Sequence, residues 1–472
     1  MVKDMTKGAV APILLKYSLP LLISVVFQQL YTIADSMIAG NFINKDALAA
    51  IGASYPITMI FLAIGTGMNI GCSVVISTLF GAKDYKSMKT AVFTSLISTF
   101  VLAIVLTVVG FFTSGLFLRL LGTDASVFKD GQDYLNIYVF GLVFLFIYNI
   151  CTGIFSALGD SNTPLYFLIG SSLGNVGLDL LFVVTFQMGV PGTAWATFIC
   201  QGICAVLAFV VLIRRIAKMK SPKFAYFEWK MLGKISTLSI PSILQQSFVS
   251  VGNLFIQKLV NSCGVDVMAG YSSAIKLNTF AITSFSTVCN SLSNFTAQNT
   301  GAGEHKRVRS GFRVGVLLAV GLAAVFSLVY FLLSSQLIYL FMDSGEANNA
   351  AAAQAGQNFL TIVAPFYLAV AVKLSADGVL RGAGRIKQFM ITTFSDLILR
   401  VVFAFILCPL FGATGIWLSW PGGWTIAMII SVIFYISYVI KTSRLPVPAV
   451  ETPQEEVEEE TADAISIEEN EE

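Results

Sequence analysis

Twelve apolar stretches, each long enough to cross a bilayer as a helix, set the terms on which this chain can fold. A spanning helix needs roughly 20 mostly apolar residues. Such runs fall near 14–40, 47–79, 90–113, 133–158, 164–187, 191–213, 236–260, 267–299, 314–334, 357–380, 388–410 and 413–440. Hydrophobic residues make up 56% of the 472 and charged residues 12%, about half the charged share of an ordinary soluble domain. A soluble core of this size could not hide so many apolar side chains; lipid lets them face outward. The expectation is an all-α integral membrane protein of about twelve transmembrane helices in two pseudo-symmetric six-helix bundles. A net charge of +2 gives no nucleic-acid signal.

Lys and Arg placement orders the spans. Even-numbered connections and both ends carry Lys83, Lys86, Lys89, Arg214, Arg215, Lys306, Arg307, Arg381, Arg385 and Lys441 among others, while the opposite side carries Lys45, Arg119 and Lys129. Positive charge marks the cytoplasmic side, so both termini are expected there, in a multi-pass protein of the cell membrane. The expected divisions are an N-lobe over 1–215, a basic cytoplasmic linker over 216–235, a C-lobe over 236–444 and an acidic, disordered tail over 445–472. The seven cysteines show no CxxC or zinc spacing, and His305 is the single histidine, so no metal site is expected from them.

The halves repeat one another. Tyr17-Ser18-Leu19-Pro20 matches Leu238-Ser239-Ile240-Pro241, Asp46-Ala47-Leu48 matches Asp266-Val267-Met268, and Gly81-Ala82 matches Gly301-Ala302. Phe155 to Gly159 likewise matches Leu380 to Gly384, all in order and at similar offsets. Six spans per half make both halves insert in the same sense, related by an axis along the membrane normal with a cleft between them. That geometry suits alternating access and points to a transporter. An intramembrane enzyme is not expected, since the spans hold no nucleophile–base or metal constellation, and neither a channel nor a receptor requires the repeat.

A charge inside the hydrocarbon costs several kcal/mol, roughly 3 or more, so the intramembrane ionisable residues are candidates for function. Gln28, Tyr31, Thr32 and Asp35 share one face of the first span at helical spacing. Asp179 lies one turn after Asn175. Such acids could take up a proton or, with amide and hydroxyl oxygens nearby, hold a small hard cation such as Na⁺. In the second half, Lys373 with Asp377 and Asp396 with Arg400 stand at i,i+4 and could form intrahelical ion pairs, for which a structural or gating role is favoured. Lys258 and Lys276 are further basic candidates.

Across residues 10–440 the chain resembles the multidrug and toxic compound extrusion (MATE) family. Ser18-Leu19-Pro20, Asp35 followed by Gly40, Ala47-Leu48-Ala49-Ala50 and Gly81-Ala82-Lys83 carry the resemblance in the first three spans. Ala157-Leu158-Gly159-Asp160 before Pro164, Asn175 to Asp179, Gly192 to Thr197 and Leu380-Arg381-Gly382 continue it. The resemblance implies a secondary antiporter that exports amphipathic, mostly cationic small molecules in exchange for H⁺ or Na⁺, with no other cofactor; a monomer suffices for that mechanism. It further implies, as in the DinF-like branch, a coupling site at Asp35, Asn175, Asp179 and Thr197, with Gln28 and Tyr31 lining the same cavity. The NorM-like branch also places coupling acids in the C-lobe; this chain is apolar or neutral at those places, around Val249 and Val370, and offers Gln245, Gln246 and Asn253 to the substrate instead. The alternative is a lipid-linked saccharide flippase of a related two-lobed fold, which would need a strongly basic central cavity.

Overall fold

The computed structural model describes residues 3–42, 45–339 and 349–443, with the backbone alone at 33–37, 39–42, 45–50 and 349. The expected acidic tail, 445–472, lies outside the described residues. The N-terminal half contains α1 (Val10–Phe42), α2 (Lys45–Gly81), α3 (Tyr85–Leu120), α4 (Ala125–Phe140), α5 (Leu142–Ala157), α6 (Asn162–Leu180) and α7 (Val190–Lys218). The C-terminal half contains α8 (Trp229–Ser262), α9 (Val265–Gly301), α10 (His305–Leu332), α11 (Ser334–Tyr339), α12 (Asn349–Val363), α13 (Tyr367–Gly382), α14 (Ile386–Phe411) and α15 (Ala413–Ser443). No strand occurs among the described residues. The linker is shorter than the expected 216–235: α7 runs to Lys218 and α8 starts at Trp229, so Lys230 and Lys234 are already helical.

Three rods are interrupted for local reasons. α4 and α5 meet at a 47° bend at Gly141, and only the two together are long and apolar enough for a span. Pro365 sits in a short 3₁₀ turn, Ala364–Phe366, joining α12 to α13, because proline cannot donate to the turn before it. α6 runs into a π-helical turn at Leu181–Thr185. Among the described residues nine helical segments are long and apolar enough to cross a bilayer, and α4–α5 make ten. α8 and α9, of 34 and 37 residues, are as long but more polar. Their Gln245, Gln246, Asn253, Asn278 and Asn290 line an internal cavity, which is where that polarity goes.

The lobes meet along a tight seam at the end carrying the basic connections. α2 of the N-lobe packs on α8 and α9 of the C-lobe. A Cβ on Gly81 would lie 1.9 Å from the Gln298 carbonyl oxygen, and one on Gly301 would lie 2.0 Å from that of Thr78. The repeat-equivalent glycines thus let each helix end touch the other's backbone. Ser73 donates to Asn294 Oδ1 (2.8 Å), Asn294 donates to the Tyr17 hydroxyl (3.0 Å), and Tyr17 donates to the Ser156 carbonyl (2.7 Å). The N-terminal segment bridges both lobes here: the Lys3 N–H donates to Leu158 O (3.0 Å) and the Met5 N–H to Gln298 Oε1 (3.0 Å). Arg307 donates to the carbonyls of Met5 (3.2 Å) and Gly8 (2.8 Å). Asp160, at the start of α6, accepts from the N–H groups of Asn162 and Thr163 (3.1 and 3.2 Å) and pairs with Arg215. Burial works to raise its carboxyl, and the bonds from Thr163 and Arg215 outweigh it, holding it below the usual carboxylate range.

Candidate functional site

The N-lobe cluster is built on α1, α6 and α7. Asn175 and Asp179 fall one turn apart on α6 and are both buried, Asp179 completely. The rise of an α-helix puts Asp179 roughly 25 Å from Asn162, toward the end away from the seam. The Asn175 amide is satisfied at both ends when its nitrogen donates to Asp179 Oδ2 (2.8 Å) and the Tyr31 hydroxyl (3.3 Å) and its oxygen accepts the Thr197 N–H (3.0 Å). The Thr197 hydroxyl lies 3.3 Å from the same amide. Tyr31, Asn175, Asp179 and Thr197 therefore converge from three helices. The side chain of Asp35 lies outside the described residues. Gln28 is exposed, and its backbone carbonyl accepts the Thr32 hydroxyl (3.0 Å). The π-helical turn begins two residues after Asp179; such single turns are frequent at functional sites, and no proline or glycine inside it signals it in the sequence.

The C-lobe centre lies nearer the middle of its helices. Lys373 Nζ is 3.0 Å from Asp377 Oδ2 and 3.4 Å from Asp396 Oδ2, all three groups being buried. Asp377 Oδ1 also accepts from Thr392 (2.7 Å) and Ser431 (2.8 Å). The expected Lys373–Asp377 pair forms, whereas the expected Asp396–Arg400 pair does not: Asp396 turns to Lys373 on the neighbouring helix, and the Arg400 guanidinium lies 4.4 Å from the Trp420 ring centroid. Helical spacing makes the Arg400 contact possible, but Lys373, reaching across from α13, holds the carboxylate instead.

A cavity of about 360 Å³ opens beside this centre. Gln245, Gln246 and Asn253 line it, as do Val249 and Val370. Arg381, counted among the cytoplasmic surface charges by sequence, is instead buried on α13, lines the same cavity, and donates to Asn290 Oδ1 (2.5 Å) and Ser293 Oγ (3.2 Å). Its place next to Gly382 at the end of a span hid this from charge counting. Trp420 was also missed, since one aromatic in an apolar run carries no signal of its own. Lys258 and Lys276 are exposed. No cluster of three or more metal-type ligands occurs among the described residues.

The family model MatE matches residues 20–181 and 241–406, most of the chain and both lobes. The chain belongs to the MATE family of transporters. It is 29% identical to "Probable multidrug resistance protein YpnP" of Bacillus subtilis, covering 88% of this chain and 92% of that one. It is 22% identical to "Multidrug export protein MepA" of Staphylococcus saprophyticus, covering 87% and 90%. Among solved structures it resembles an outward-facing multidrug resistance MATE family transporter of the MOP superfamily, with TM-score 0.87 at 20% identity over 93% of this chain and 98% of that one. It is equally similar, at TM-score 0.88 and 20% identity over 94% and 98%, to a MOP superfamily transporter from Pyrococcus furiosus described as having a binding pocket of reverse polarity. Neither likeness, at that identity, speaks to more than the fold. This MATE transporter thus shares its relatives' span almost end to end.

Proposed function

We propose that this MATE transporter is a multidrug exporter working as a secondary antiporter: amphipathic small molecules, mostly cationic, leave while H⁺ or Na⁺ enters. The observation that carries this is the burial of Asp179 against Asn175, within reach of Tyr31 and Thr197, in one of two related bundles that meet along a seam. A carboxylate kept inside a membrane bundle is a functional group by default. The Asp179 carboxylate, with the hydroxyl oxygens of Tyr31 and Thr197 close by, suits a proton or a small hard cation. Occupation of the site would change the packing of α1 against α6 and so bias which end of the cleft is open. Relatives carrying the words multidrug resistance and multidrug export support the cargo class.

Coupling is assigned to the N-lobe, as in the DinF-like branch. Val249 and Val370 line the C-lobe cavity where the NorM-like branch has acids. The flippase alternative needs a strongly basic cavity; here Lys373, Arg381 and Arg400 share the lining with Asp377 and Asp396, and Lys373 is matched by both carboxylates, so the observations do not favour it. With both termini cytoplasmic, the closed seam is the inner gate, and a monomer in the cell membrane suffices.

The test is efflux of a fluorescent organic cation from proteoliposomes under an imposed pH or Na⁺ gradient. Asp179→Asn and Asp35→Asn are each expected to lower gradient-driven efflux at least about tenfold while the purified protein stays monodisperse. Efflux at the parental rate by both variants would falsify the N-lobe assignment.

A further inference from the structure

We infer that the C-lobe cavity contains an anion-recognition site, formed by Arg400 against Trp420, that takes the carboxylate of an amphipathic aromatic cargo. The inference deepens the export reading by adding an acidic or zwitterionic class to the cations, and it rests on that reading only for the word cargo. Five ionisable groups line the cavity: Lys373, Arg381 and Arg400 against Asp377 and Asp396. Both carboxylates are engaged by Lys373, at 3.0 and 3.4 Å. Arg381 is held by the oxygens of Asn290 and Ser293.

Arg400 is the group left over. It is 7% exposed, faces the cavity, and has no hydrogen-bond or ion-pair acceptor among the described residues. Asp396, one turn away on its own helix, is committed to Lys373. A guanidinium carries five N–H donors in its plane. Stacking on Trp420, 4.4 Å from the ring centroid, satisfies its face and none of those donors. The free edge matches a carboxylate, which accepts two parallel N–H bonds. Trp420, Trp424 and Leu397 offer apolar surface for an aromatic body beside it, and the volume of about 360 Å³ is that of a small-molecule site.

The test is equilibrium binding to the purified full chain in detergent, with no gradient, so that its failure is separate from a failure of antiport. The probes are 2-naphthoate, its neutral amide and 2-naphthylmethylammonium. The naphthoate is expected to bind at least about tenfold tighter than the amide. Arg400→Gln should bring the two within about twofold of each other, and Arg400→Lys, which keeps the charge and loses the fork, should restore only part of the preference. If Arg400→Gln does not fold, Arg400→Lys carries the assignment, and a ratio that it leaves unchanged counts against the site. A ratio of one or below, or a preference that Arg400→Gln leaves intact, overturns the site.

Discussion

Asp179 in the N-lobe is met by an amide, whereas Asp377 and Asp396 in the C-lobe share one ammonium. The first lies roughly 25 Å along α6 from the seam end; Lys373 lies roughly 14 Å from the corresponding end of α13. The two bundles share features that let them pack, such as Gly81 and Gly301 at the seam, and differ in what meets their buried acids. An acid held by a neutral dipole can exchange a proton or a cation and leave its bundle assembled. Acids held by a lysine lose their compensation if that lysine is disturbed. The comparison therefore sets an acid that meets an amide in one lobe against two acids that share a cation in the other.

The largest effect that could break the comparison is at Lys373. Lys373→Met strands two buried carboxylates and is expected to cost about 3–5 kcal/mol, read as a steep loss of thermal stability in detergent. Adding Asp377→Asn and Asp396→Asn should recover most of it. A Lys373→Met protein as stable as its parent would remove the ammonium as the C-lobe's fastener.

What the lobes share is tested next. Gly81→Ala and Gly301→Ala each drive a Cβ onto a backbone carbonyl of the opposite lobe. Each should cost about 1–3 kcal/mol and raise the alkylation of a cysteine introduced at Ser73, as the seam parts. Unchanged alkylation would mean the seam tolerates the methyl group without moving.

Direct comparison of the acids gives a smaller and sharper contrast. Asp377→Asn removes the charge from bonds to Lys373, Thr392 and Ser431 and should cost about 1.5–3 kcal/mol. Asp179→Asn replaces an acid facing an amide and should change stability by less than about 1 kcal/mol. Equal losses in thermal melts would erase the distinction between the lobes.

Asp160 supplies the smallest effect, as an N-lobe acid outside the membrane that is held by a cation. Its folded carboxyl lies below the ordinary range, so the stability it contributes is present above about pH 4 and is lost as pH falls through the lower folded value. Asp160→Asn should lower stability near neutrality by about 1 kcal/mol, as loss of a helix cap does, and flatten the acid limb of the profile. An acid limb identical to the parent's would show that Asp160 does not set it.

Much of the architecture was legible because membrane insertion is governed by local composition. Each of the twelve apolar stretches coincides with a helix or a helix pair. The repeated Gly-Ala of residues 81–82 and 301–302 marked the two seam helices before their contact was visible. Asn175 with Asp179 was legible for the same reason, since one turn of helix fixes their common face. The Asp396–Arg400 pair was misread by that rule: spacing states which residues can meet on one helix and is silent about a competitor on the next. Arg381 was misread because its position near the end of a span suggested a surface charge, while burial depends on which helices close over it.

By itself, then, the sequence determined an all-helical membrane protein of two related halves, because hydropathy, glycine placement and repeat order act along the chain. Only the tertiary structure decided which carboxylate each cation holds, that Arg400 stacks on Trp420, and that Lys3 to Gly8 ties the lobes together at one end. Those outcomes depend on distances between segments far apart in the chain, and a charge in a low-dielectric interior goes to the nearest partner that packing allows.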